Sequence, residues 1–192
     1  MKAILLLLLL PSLALCQGRR YKYSETPVQI DSATGGMIYS EVIPVEGASA
    51  NELYSRGKAF IAKVFTNESA VTLFDDSGHN AVGGRGKLVM NLGLGTALLT
   101  GQLQSYYEMA IEIRAKDGRY RYELSDIEVV NGGYRIKVDD AIRKNKKAQQ
   151  LYQTGDMSQK EYDKLMSDKN PVMAVIRQLK NSMSAASAKN DF

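Results

Sequence analysis

"IEIRAKDGRYRYELSDI", Ile111 to Ile127, alternates apolar with charged residues, breaks once at Asp117-Gly118, and then alternates again. Alternation is the period of a half-buried β-strand, and Asp-Gly between two such runs is a strong hairpin signal, because a type I′ turn requires two residues that tolerate positive φ. With a two-residue loop at 117–118, Ile113 faces Tyr122, Ile111 faces Leu124 and Ala115 faces Tyr120, an apolar face that Met109 continues. The other face sets Glu112 against Glu123 and Arg114 against Arg121. Opposed like charges repel, but the diagonal pairs Glu112–Arg121 and Arg114–Glu123 are within reach of long side chains, which predicts a self-neutralised checkerboard. Beyond Leu124 the alternation slips by one, with Ile127 and Val129 now apolar, so a bulge is expected near Ser125 or Asp126.

Before the hairpin, "MIYSEVIPV" from Met37 is β-branched and aromatic and reads as a strand ending near Pro44. A helix follows: Ser49 and Glu52 have capping-box spacing, and Leu53, Phe60, Ile61, Val64 and Phe65 fall on one helical stripe. A short strand is expected over Ala70–Phe74, a turn at "DDSGHN", and extended chain again in "AVGGRGKLVMNLG". The apolar, glycine-rich stretch Leu92–Leu103 reads as a strand with a buried connection, or as a tongue facing a partner. After Gly133 the pattern turns helical. "DDAIRKNKKAQQLYQTG" ends at a glycine stop, Ser158 and Glu161 form a second capping box with Met157 and Tyr162 placed as a hydrophobic staple, and Asn170-Pro171 opens a helix with Val172, Val175, Ile176, Leu179 and Met183 at core spacing.

The N-terminus, "MKAILLLLLLPSLALCQG", places Lys2 ahead of a short apolar run and small residues, the pattern of a secretory signal peptide with cleavage after Cys16. The apolar run is too short for a bilayer span. A lipid anchor at Cys16 is disfavoured because Leu15 is not small. Cys16 is the single cysteine, so the remaining chain folds without disulfides, by packing alone. The net charge of +4, or +3 without Lys2, is too small to demand a polyanionic partner.

Several chemistries are disfavoured. A Ser-His-Asp triad would have to use His79, the one histidine, in a turn and with no nucleophile elbow elsewhere. One histidine does not make a zinc site. "GGRGK", Gly83–Lys87, has neither the spacing of a phosphate loop nor a hydroxyl where Leu88 stands, so glycines permitting a bulged strand account for it better. No cofactor is indicated. Mixed charge on the hairpin argues against nucleic acid. The run Arg143, Lys144, Lys146, Lys147 reads as a solvated helix face whose best functional use is contact with anionic membrane lipid.

The order of strand, capped helix with "ELY", strand, "GGRGK" and the hairpin "YEMAIEIRAKDGRYRYELSDIEV" resembles a family of exported bacterial proteins known as a domain of unknown function with a TATA-binding-protein-like (TBP-like) fold. The resemblance covers about Ile38 to Val130, its most specific piece being "KDGRYRYELSDI". It implies a curved antiparallel sheet with a helix on one face, and no activity. "QLYQTGDMSQKEYDKLMSDK" is similar to a short helical-hairpin interaction module.

The expected organisation is an α+β protein: signal peptide 1–16, flexible leader 17–36, TBP-like domain 37–134, C-terminal helices 135–185 and a disordered tail 186–192. The expected role is a non-enzymatic binding domain in the periplasm or cell envelope. Its protein or small-molecule partner would engage Glu112, Arg114, Arg121 and Glu123 on the sheet, or Arg143, Lys144, Lys146 and Lys147 on the helices. The alternatives are an envelope hydrolase with a carboxylate pair in the sheet concavity, and association with an anionic membrane surface.

Overall fold

The computed structural model describes residues 19–65, 71–91, 104–131, 134–167 and 169–184. The chain runs β1 (Arg20–Lys22), a 3₁₀ turn (Tyr23–Glu25), β2 (Val28–Ile30), β3 (Met37–Pro44), α1 (Ala50–Val64), β4 (Val71–Asp76), β5 (Ala81–Asn91), β6 (Gln104–Lys116), β7 (Arg119–Asn131) and β8 (Tyr134–Lys137). Then follow α2 (Val138–Arg143), α3 (Lys146–Thr154), β9 (Asp156–Ser158), α4 (Gln159–Met166) and α5 (Pro171–Ser184). The readings of 1–16, Leu92–Leu103 and 186–192 lie outside the described residues.

The β6–β7 hairpin is the spine of the sheet. Its register is the expected one, Lys116 opposite Arg119 and Ile111 opposite Leu124, and it shifts between Glu108 and Ala110. Asp126, with φ of 50°, takes up the extra residue where the alternation slips. The turn itself differs from expectation: Gly118 has φ of 72°, but Asp117 stays out of the positive-φ region, so this is not a type I′ turn. The reason is tertiary. Asp117 Oδ1 accepts from the Ala50 N–H at 2.7 Å, Gly118 N–H donates to Ala48 O, and Val45 N–H donates to Gly118 O. The hairpin tip is therefore clamped to the N-terminus of α1.

The seven strands of the main sheet pair antiparallel, in the order β2-β3-β7-β6-β5-β4, with β8 on the far half of β7, and β1 and β9 form a separate antiparallel pair. One face is covered. Ile111, Ile113, Tyr122 and Leu124 are fully buried there under α1, which contributes Leu53, Tyr54, Phe60 and Ile61. Burying side chains of this size supplies the main favourable term, about 1.5–3 kcal/mol each. Helix α1 begins where Ser49 Oγ accepts from Glu52 N–H. The Glu52 carboxylate turns to Arg56, so only half of the expected capping box forms. "GGRGK" lies in β5 as ordinary extended chain, and the register shift falls opposite it, in β4 between Thr72 and Phe74. Gly84 is glycine because a Cβ there would stand 2.5 Å from Ile61 of the crossing helix.

Three sequence expectations are corrected. Residues 20–30, expected in a flexible leader, are ordered: β1 pairs with β9, β2 pairs with β3, and Val28 is fully buried. Three-residue strands have no local signature, and β1 meets its partner only across most of the chain. Residues 134–137 continue the sheet as β8, so the helices start at Val138 rather than at 135. The expected helix over 139–155 is broken at Asn145, whose side chain accepts from Lys147 and Ala148 N–H and starts α3 afresh.

The starts of the last two helices are as the sequence predicts. Ser158 and Glu161 form a full capping box at α4, and Asn170 Oδ1 accepts from Val172 and Met173 N–H at the start of α5. Val172, Met173, Val175, Ile176, Leu179 and Met183 of α5 join the same core as the sheet and α1. Where α5 meets β3 and β7, Lys180 Nζ lies 2.5 Å from Glu41 Oε2, which also accepts from the Tyr122 hydroxyl at 2.5 Å. Burial, and then the Glu41 carboxylate, push the Tyr122 hydroxyl pKa far up.

Candidate functional site on the open face of the sheet

Strand alternation fixes what the uncovered face presents. Along β6 it carries Glu112, Arg114 and Lys116, along β7 Arg119, Arg121 and Glu123, and on β3 Val42 stands opposite Arg121. The four sheet residues singled out from sequence, Glu112, Arg114, Arg121 and Glu123, are thus brought together. Their pairing differs from the expected diagonal one. Arg114 pairs with Glu112 two residues back on its own strand, and Arg121 Nη2 meets Glu123 Oε2 at 2.8 Å in the same way. Residues i and i+2 of a strand are no farther apart than diagonal neighbours, so both patterns neutralise the lattice equally well. Arg121 Nε also donates to Ser40 Oγ, 3.2 Å away, which holds the guanidinium toward β3.

Two features of this face go beyond the four residues singled out from sequence. Toward β8 it becomes an ionic cluster. Arg85 lies within 3.3 Å of Glu108 and 3.2 Å of Asp126, while Glu128, only 7% exposed, receives Arg135 at 2.6 Å and Lys137 at 3.4 Å. Toward the 117–118 turn it becomes a hollow of about 500 Å³ lined by Val42, His79, Arg114, Ala115, Lys116, Arg119, Tyr120 and Arg121. Arg114 and Arg121 have carboxylate partners there, but Lys116 and Arg119 have no ion pair among the described residues. The signal was present in "RAKDGRYR": the outward positions nearest the turn are all basic.

A second hollow, about 320 Å³, adjoins the first through His79 and Arg114 and is completed by Phe74, Asp76 and Ala81. The Phe74 ring lies over Gly83, where any Cβ would collide with it, which is how an aromatic comes to sit flat on this face. His79 Nδ1 is 2.7 Å from Asp76 Oδ2, and this contact together with the His79 backbone N–H holds the Asp76 carboxyl below its ordinary value.

The other residues singled out from sequence lie apart, on the helices after β8. Arg143 is taken up by Asp139 at 2.7 Å and Asp140 at 3.7 Å. Lys144, Lys146 and Lys147 are exposed on either side of the break at Asn145 and do not share one regular helix face. A third hollow, about 750 Å³, is lined by Tyr23, Tyr152, Glu161, Asp163, Lys164, Lys169 and neighbours, two carboxylates against two lysines. Among the described residues no three His, Cys, Asp or Glu side chains converge as metal ligands, and no helix is long and apolar enough to cross a membrane.

A single antiparallel sheet with α1 on one face and charged side chains on the other is the architecture of a TBP-like α+β domain. Residues 39–130 match the model of the family described as "Domain of unknown function (DUF4468) with TBP-like fold". Among solved structures it is similar to a DUF4468 family protein from Bacteroides ovatus ATCC 8483, with TM-score 0.55, 15% identity, and coverage of 83% of this chain and 93% of that one. It is also similar to a TBP-like protein from Parabacteroides distasonis ATCC 8503, with TM-score 0.53, 15% identity, and coverage of 82% and 98%. At such identity the likeness concerns the fold. No curated protein matches the sequence.

Proposed function

We propose that this is a non-catalytic binding domain of an exported protein, which holds an anionic group of a protein or small-molecule partner at the basic end of its open sheet face. The observation that carries this reading is the pair Lys116 and Arg119, uncompensated at the rim of a hollow whose other two cations are already neutralised. Cations that would otherwise repel one another gain most from an external anion. Export rests on the pattern of residues 1–16. The acid chemistry of a hydrolase finds no support: the carboxylates that face each other, Glu112 with Glu123 and Glu108 with Glu128, all have cationic partners.

The test is an amide NMR titration with inorganic phosphate at low ionic strength. Shifts are expected to centre on His79 and residues 114–121, to weaken with added salt, and to vanish in a Lys116→Gln/Arg119→Gln double variant. Shifts centred on residues 143–147 instead, or unaltered in the double variant, would refute the assignment.

A further inference from the structure

The two adjoining hollows on the open face differ in character, and the difference orients a ligand. The hollow nearer the turn has Lys116 and Arg119 at its rim and the apolar side chain of Val42, 59% exposed, in its floor. A valine this exposed, ringed by cations, is poorly matched to water yet well matched to a molecule with an apolar part beside its charge. The second hollow offers the Phe74 ring, Ala81 and the Arg114 guanidinium, but its one acidic group, Asp76, is held ionised by His79. A second anion there would meet like charge. His79 and Arg114 line both hollows, so the two form one continuous depression. Arg114 is fixed by Glu112, which leaves its flat guanidinium positioned as a stacking surface between the two ends.

We propose that this depression binds a small amphipathic mono-anion lengthwise, its anionic group at Lys116 and Arg119 and a flat aromatic body running over Arg114 to the Phe74 ring. The inference rests on the anion-binding reading above and adds to it the polarity of the site and an aromatic requirement. Each hollow alone, and the two together, fall in the ordinary volume range for a small-molecule site. The specificity-determining residue is Phe74, which lies outside the basic hollow.

The probe is 8-anilinonaphthalene-1-sulfonate, one sulfonate on fused aromatic rings, titrated by fluorescence into the full chain. It should bind in competition with 4-phenylbutyrate and far less with butyrate. Phe74→Leu, which keeps an apolar cover on Gly83 but removes the ring, should weaken the probe about fivefold or more while leaving the phosphate titration unchanged. Lys116→Gln/Arg119→Gln should weaken both ligands. If Phe74→Leu leaves probe affinity unaltered, or butyrate competes as well as phenylbutyrate, the aromatic end of the site is wrong and the anion site stands. A Phe74→Leu variant that loses phosphate and probe equally also overturns the division into two ends. If the double variant binds both as the parent does, the underlying reading fails as well.

Discussion

Glu128 shows how one residue can hold a sheet face together. It projects from β7 onto the open face, is almost wholly covered, and is surrounded by Arg85, Arg135 and Lys137. Burial works to raise its carboxyl pKa, but the hydrogen bonds and charges of Arg135 and Lys137 outweigh burial and hold it below the ordinary glutamate range. A carboxyl with a depressed folded-state value contributes stability that is present above the unfolded value and is lost as pH falls through the folded one. Glu128→Gln should therefore cost about 2 kcal/mol near neutrality, allowing for the solvent screening of its half-exposed partners. The gap in urea midpoint between parent and variant should close as pH is lowered from about 6 to about 3, and a gap that stays constant would assign the loss to packing. Gly84 makes the complementary case on the covered face. Gly84→Val places branched carbon against Ile61 of α1 and should cost at least about 2 kcal/mol by overpacking, whereas the same change at Gly47, with open space around it, would act through its φ of 78° alone.

At the scale of elements, the hairpin tip joins two pieces of structure that are 67 residues apart in sequence. Asp117→Ala removes the acceptor of the Ala50 N–H while leaving Ser49 to cap Glu52, so it should cost about 1 kcal/mol, read as a shift in urea midpoint with unchanged slope. Asp117→Asn, which keeps an acceptor, should recover most of that. Loss of more than about 3 kcal/mol would mean that the tip holds the sheet rather than the helix. This residue also marks the limit of what the sequence makes legible. Asp-Gly and the period-two alternation were enough for the register and the bulge, because both are properties of adjacent residues. The turn type was not legible, because Asp117 takes its backbone conformation from a distant helix. The same reasoning separates the ends of α4 and α5, written locally by Ser158, Glu161 and Asn170, from β1, β2, β8 and β9, whose three or four residues have no pattern until their partners are present. The basic hollow falls between these cases. Its cations are legible in "RAKDGRYR", but Val42, Phe74 and His79 reach it only through the strand order and the β4–β5 turn.

At the scale of the whole molecule, the helices after the sheet divide into two kinds. Helix α5 is part of the single core, with Ile176 and Leu179 fully buried, whereas α3 and α4 contain no buried residue. Ile176→Ala should thus lower global stability by about 3 kcal/mol, while Leu151→Ala, at a position 45% exposed, should change it by less than about 0.5 kcal/mol. Apart from the half-buried Tyr152, Leu165 and Met166, which pack against that core, what holds α3 and α4 is the N-terminal strand. Tyr21 stacks on Tyr162 with ring centroids 3.9 Å apart, its hydroxyl donates to Gln159 Oε1 at 2.7 Å, and Tyr23 N–H donates to Gly155 O. Segments held by few buried contacts open at a lower free energy than the core. Tyr21→Ala is therefore expected to speed amide hydrogen exchange across α3, β9 and α4 while leaving β6, β7 and α5 protected as before and the thermal midpoint nearly unchanged. Uniform acceleration through β6 and β7 would show instead that the N-terminal strand belongs to the same cooperative unit as the sheet. The basic hollow, built on β3, β6, β7 and the β4–β5 turn, would then depend on that strand as well.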